Sequence, residues 1–169
     1  MKKLVLIGLI STVLAGCAAH QEMIKNIETP VFKSEIDKFT GDKKAYWSKS
    51  YYDSVSLDKF FAVSVLKGQK VNANLISLIR TGKDWKYLKC HTTNWLVNGK
   101  PIQPLKNTIS TDVKRNPVQV VESIDVVFTN KDMKKFGTAS SVEYRVCNDE
   151  FKFTSEELKG LKRVIEYTY

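Results

Sequence analysis

The sequence predicts a small single α+β domain, an antiparallel sheet with one or two helices packed on one face. Three observations carry this. Runs rich in β-branched and aromatic residues recur through the middle of the chain, such as Phe60 to Leu66 and Val118 to Phe128. Short turn signals separate them, which favours antiparallel neighbours. Helical spacing comes late, so helices cover a sheet already specified. A chain of 169 residues with 43% hydrophobic content is one domain. It excludes collagen, low-complexity disorder and a polytopic membrane protein.

The elements follow in order. Phe60 to Leu66 is the first strand, and Gly68 breaks it. Val71 to Ile79 is the second, closed by the turn signal Thr81-Gly82-Lys83-Asp84. Trp85 to Val97 is a third run, with Leu88, Cys90 and Thr92 on one face. Asn98-Gly99 then marks a hairpin, because both central residues of a type I′ turn need positive φ. Pro101 makes the returning strand short or places it at an edge. Pro104 to Asn116 is predicted as a polar loop, and Val118 to Phe128 as a strand. Thr129 caps a short helix ending near Gly137, with Met133 and Phe136 facing the core. Val142 to Cys147 alternates as a half-buried strand does, and Phe151-Lys152-Phe153 returns. Thr154-Ser155-Glu156-Glu157 is a capping box, and Leu158, Leu161 and Ile165 follow at helical spacing.

The first seventeen residues, MKKLVLIGLISTVLAGC, carry an address. Lys2 and Lys3 precede an apolar run from Leu4 to Leu14. Eleven helical residues rise about 16 Å, half of a ~30 Å hydrocarbon core, so the run is a secretory signal and not a span. Leu14-Ala15-Gly16-Cys17 resembles the lipobox of bacterial lipoproteins. The resemblance covers the leader alone. It implies cleavage before Cys17, acylation of Cys17 with diacylglycerol and an amide-linked chain such as palmitate, and a membrane anchor. Ala18 in place of Asp after the Cys implies, by the enteric sorting rule, the outer membrane facing the periplasm. The division expected is a signal peptide over 1–16, a lipid-anchored tether and aromatic segment over 17–57, and the globular domain over 58–169. Within the tether, Ser34-Glu35-Ile36-Asp37 is read as the start of a short helix.

Of the three Cys, acylation of Cys17 leaves Cys90 and Cys147. In an oxidising compartment these two are expected to form a disulfide. Free thiols, or a metal or catalytic site using Cys90 and His91, are the alternatives. Adjacent strand residues face opposite ways, and no second Cys or His lies nearby.

No G-x-S-x-G, H-E-x-x-H or phosphate-binding Gly loop is present, so no catalytic, cofactor or metal residues are assigned. Glu122 and Asp125 fall on opposite faces of one strand and make no obvious pair. Tyr46, Trp47, Tyr51 and Tyr52, with Lys43, Lys44 and Lys49, form a candidate partner surface. Residue by residue, the same rings read more readily as packing against the domain. A formal charge of +9 suits anionic lipid, an anionic cell-wall polymer or an acidic envelope protein, while export argues against nucleic acid. The sequence therefore predicts a non-enzymatic binding, assembly or immunity lipoprotein. The alternative is an envelope hydrolase, for which a pocket holding His91 and a carboxylate would speak.

Overall fold

A computed structural model describes residues 29–53, 56–68, 72–115 and 118–169. The signal peptide, Cys17 and the first part of the tether lie outside the described residues. The first antiparallel sheet has six strands in the order β1-β2-β3-β4-β8-β7. These are β1 (Val31–Ile36), β2 (Lys43–Asp53), β3 (Ser56–Lys67), β4 (Asn72–Gly82), β7 (Lys106–Arg115) and β8 (Val118–Val127). The second, also antiparallel, has the order β10-β9-β5-β6, built from β5 (Thr93–Val97), β6 (Lys100–Ile102), β9 (Val142–Val146) and β10 (Asp149–Lys152). Helix α1 (Asn130–Gly137) follows β8, and α2 (Ser155–Thr168) ends the chain.

One face of the larger sheet carries the core. Alternation with period two turns Ala45 and Trp47 of β2, Phe61, Val63 and Val65 of β3, Ile76 of β4 and Ile124 and Val126 of β8 inward, all buried. Helix α2 lies across β2 and β3, with α1 beside it. The smaller sheet adds Trp95, which is 1% exposed and meets Phe128, Phe136 and Phe153 edge-on at 5.2, 6.1 and 6.1 Å. Edge-to-face contact sets the positive ring edge on the negative ring face. Both caps hold. Thr129 Oγ1 accepts the Asp132 N–H at 3.0 Å, and Thr154 and Glu157 satisfy each other's backbone donors.

The fold is α+β with both helices on one face of an antiparallel sheet, but the strands divide into two sheets. Asn98 and Gly99 adopt φ of 52° and 73° in a tight hairpin. The strand after it has three residues and lies at an edge, where Pro101 needs no ladder donor.

Four local expectations are corrected. Residues 31–36 and 43–53 are sheet strands rather than tether, and Ser34 to Asp37 starts no helix. The Ser34–Ile36 stretch is exposed and pairs with Lys43 to Ala45 of β2, so ladder hydrogen bonds replace a cap. Trp85 to Thr92 is a loop, and only Thr93–Val97 is strand. Residues 106–115 are a strand at the sheet edge; being mostly polar and exposed there, they carry little apolar signal.

Candidate functional site

The expected partner surface is divided by the alternation of β2. Trp47 is 4% exposed, meets Phe61 edge-on at 5.8 Å and lies against Gly160 of α2. Lys49 on the same face pairs with Glu156, and the Tyr51 hydroxyl donates to Glu157 at 2.8 Å. Tyr46 and Tyr52 fall on the opposite face and are half-buried, while Lys43 and Lys44 lie near the β1–β2 turn. The seven residues do not make one exposed patch, because α2 needs the inward rings for its own packing.

Cys90 and Cys147 are joined, with Cα atoms 5.9 Å apart. Cys90 sits in the loop 83–92, not on a strand, and Cys147 adopts φ of 55° in the β9–β10 turn. Buried Glu122 of β8 fastens the same loop. Its carboxylate accepts the N–H groups of Lys86 and Tyr87 and pairs with Arg80 Nη1 at 3.0 Å. Asp149 adds a third tie, receiving the Tyr87 hydroxyl at 2.7 Å and Lys86 Nζ at 2.8 Å. Those two donors hold its carboxyl below the ordinary range. Asp125, on the other face of β8, accepts from Ser77 at 2.6 Å. The two carboxylates are not a catalytic pair.

A cleft opens between the sheets beside this fastened loop. Its floor is Phe61, Leu78, Ile124, Val146, Tyr144 and Phe151, and its polar rim is Tyr51, Lys59, Arg80, Tyr87 and Glu157. The cavity measures about 80 Å³. The register Trp95–Tyr144–Phe151 across β5, β9 and β10 stacks three rings, at 4.9 and 5.0 Å with planes within 19°. Lys59 Nζ lies 5.9 Å from the Phe151 ring and pairs with no carboxylate among the described residues. Burial pushes the phenols of Tyr51, Tyr87 and Tyr144 above their usual range. The carboxylates of Glu157 beside Tyr51 and Asp149 beside Tyr87 add to this. All three are therefore neutral hydroxyl groups at physiological pH. The hydroxyls of Tyr51 and Tyr87 are engaged, but that of Tyr144 has no hydrogen-bond partner among the described residues.

A wider hollow of about 560 Å³ lies along the smaller sheet, lined by Asn94, Leu96, Pro101, Glu143, Arg145 and Lys152 among others. Its charges cancel, Lys152 with Glu143 at 3.5 Å and Arg145 with Glu150 at 3.9 Å. The smaller cleft has the better recognition chemistry, since apolar walls converge there on a hydroxyl and an ammonium that have no partner among the described residues. His91 lines neither.

The sequence did not mark Tyr144, Phe151 or Lys59, because the strand pairing that gathers them joins distant segments. Among the described residues no helix is long and apolar enough to cross a membrane, and no group of His, Cys, Asp and Glu could hold a metal. No family model matches the chain, and no curated protein and no solved structure matches it.

Proposed function

We propose that this protein is a lipid-anchored, non-enzymatic binding module of the bacterial envelope, tethered through acylated Cys17 and holding an envelope partner at the inter-sheet cleft. The observation that carries the binding reading is the Tyr144 hydroxyl, which no described residue hydrogen-bonds, in the inter-sheet cleft beside Lys59, which no described carboxylate pairs. Tyr144 is half-buried, so its hydroxyl is open to an acceptor supplied by a partner. The room, about 80 Å³ against the roughly 150 Å³ dry cavity that holds benzene, suits a compact group smaller than a phenyl ring. An anionic end on an apolar body would answer both Lys59 and Tyr144. That His91 stands away from both cavities favours binding over His-based hydrolysis.

The test is photocrosslinking in the native envelope from a photoreactive residue replacing Phe151, with an acyl label followed on Cys17. One defined envelope component should be captured, and Tyr144→Phe with Lys59→Ala should reduce its yield at least fivefold without changing the melting temperature. Cys17→Ser should abolish the acyl label. Capture that ignores the cleft substitutions would overturn the binding assignment, and an unacylated Cys17 would overturn the anchor.

A further inference from the structure

One end of the larger sheet gathers exposed apolar and basic residues into a row. Ile36 pairs with Lys43, Lys43 with Lys67 and Lys67 with Asn72. Phe128 N–H bonds the Asn74 carbonyl, and Val127 pairs with Lys106. The β1–β2 turn leaves this row at one side and Leu105 at the other. Phe39 on that turn is 87% exposed, Leu105 65% and Ile36 54%.

The turn is built, not loose. The Asp37 carboxylate accepts the N–H groups of Phe39 at 2.8 Å and Thr40 at 3.1 Å. Two backbone bonds, Asp37 N–H to the Asp42 carbonyl and Gly41 N–H to the Asp37 carbonyl, close it at 2.8 Å each. A phenyl ring is thus held out in water by a turn in which the Asp37 carboxylate is spent on backbone donors. Lys38 Nζ sits 4.9 Å over that ring. Lys43, Lys44 and Lys106 belong to the same end and pair with no carboxylate among the described residues. Lys67 and Lys134 join them, both lying over the Tyr169 ring at 5.0 and 5.6 Å.

We propose that this end is a membrane-facing surface, in which Phe39, with Ile36 and Leu105, enters the interfacial layer of an anionic bilayer while the lysines meet its headgroups. Shape and charge favour a lipid surface over a protein. The apolar residues stand at the two edges of a six-stranded sheet, roughly 24 Å apart at ~4.8 Å per strand spacing, with lysines between them. A planar anionic surface reaches all of them together. A basic contact orients on the bilayer a domain that the acyl chains on Cys17 only tether. The chain from Cys17 to Val31 extends at most about 50 Å, long enough to let this end reach the bilayer. The proposal rests on the envelope reading only for the presence of a bilayer. It leaves the cleft, near the opposite end of the sheet, facing away from the lipid.

The opposite end supplies the control, since the loop 83–92 carries Trp85 and Leu88 at 39% and 46% exposure, with Lys83 and Lys89. The experiment uses the full mature chain with Cys17→Ser, so that no acyl group contributes. Cosedimentation compares vesicles of phosphatidylethanolamine and phosphatidylglycerol with vesicles of phosphatidylcholine. Binding to the anionic vesicles alone is expected, falling as salt rises. Phe39→Ser with Ile36→Ser should weaken it at least tenfold at unchanged melting temperature. Lys43→Gln with Lys44→Gln should weaken it and flatten its salt dependence, and Trp85→Ser with Leu88→Ser should leave it intact. No binding to anionic vesicles, equal binding to both kinds, or loss with the Trp85 and Leu88 substitutions instead would overturn the proposal. Tyr144→Phe with Lys59→Ala should not alter vesicle binding, so a failure here is separate from a failure of the cleft assignment.

Discussion

Gly160 is the point at which α2 and β2 touch. A Cβ added there would overlap the indole of Trp47, so the helix can lie this close only where it carries no side chain. Gly160→Ala should cost about 1–3 kcal/mol by overpacking, and Trp47→Ala about 3–5 kcal/mol by leaving a hole. Urea unfolding of both variants checks this; an unchanged midpoint for Trp47→Ala would return the ring to the surface. The aromatic cluster of β2 was legible in the sequence, but its orientation was not. Alternation says which residues share a face, not which face meets the helix. Lys49 is a case in point: it follows Trp47 onto the inner face, where Glu156 in the first turn of α2 neutralises it. Cys90 and Cys147 were legible because counting thiols needs no geometry.

At the scale of elements, the loop 83–92 is fastened three times, by the disulfide, by Glu122 and by Asp149. Glu122→Ala leaves two backbone N–H groups and Arg80 without their acceptor. Removing one partner of a buried pair costs about 3–5 kcal/mol. The expected outcome is a loss of this size, together with faster hydrogen exchange at the amides of Lys86 and Tyr87. Exchange as slow as in the parent chain would show that the disulfide and Asp149 hold the loop without Glu122. The strands that sequence located best, β8 and the β5–β6 hairpin, have strong local signals in a valine-rich run and an Asn-Gly turn. Of those it missed, β1, β2 and β7, the first and last are the edges of the larger sheet. An edge strand with exposed side chains gives no apolar alternation, so its pairing is decided by the neighbour and not by its own composition.

Across the whole molecule, two layers enclose one core, and the cleft forms where they diverge. This placement was illegible from sequence, since the rings of Tyr144 and Phe151 meet Phe61 and Leu78 only after both sheets exist. The three cleft phenols have folded pKa values above the ordinary value of about 10. Their contribution to stability is complete below pH ~10 and is lost as pH rises through the folded values. Followed by phenolate absorbance, these three and Tyr169, whose phenol burial also pushes up, should be the late-titrating members of the seven tyrosines, and Tyr144→Phe should remove one. Simultaneous ionisation of all seven near pH ~10 with the fold intact would contradict this. The smaller sheet is also discontinuous in the chain. Its hairpins β5–β6 and β9–β10 can each close locally, but they join only across the intervening β7, β8 and α1. In kinetic terms the second layer is a late event, because a long loop must close before its contacts form. On the proposed export, N-terminus first, the chain therefore carries Cys90 as a free thiol, with the Trp95 ring still uncovered, until Cys147 emerges 57 positions later. Throughout that interval its safety from mispairing depends on the oxidants and chaperones that receive it.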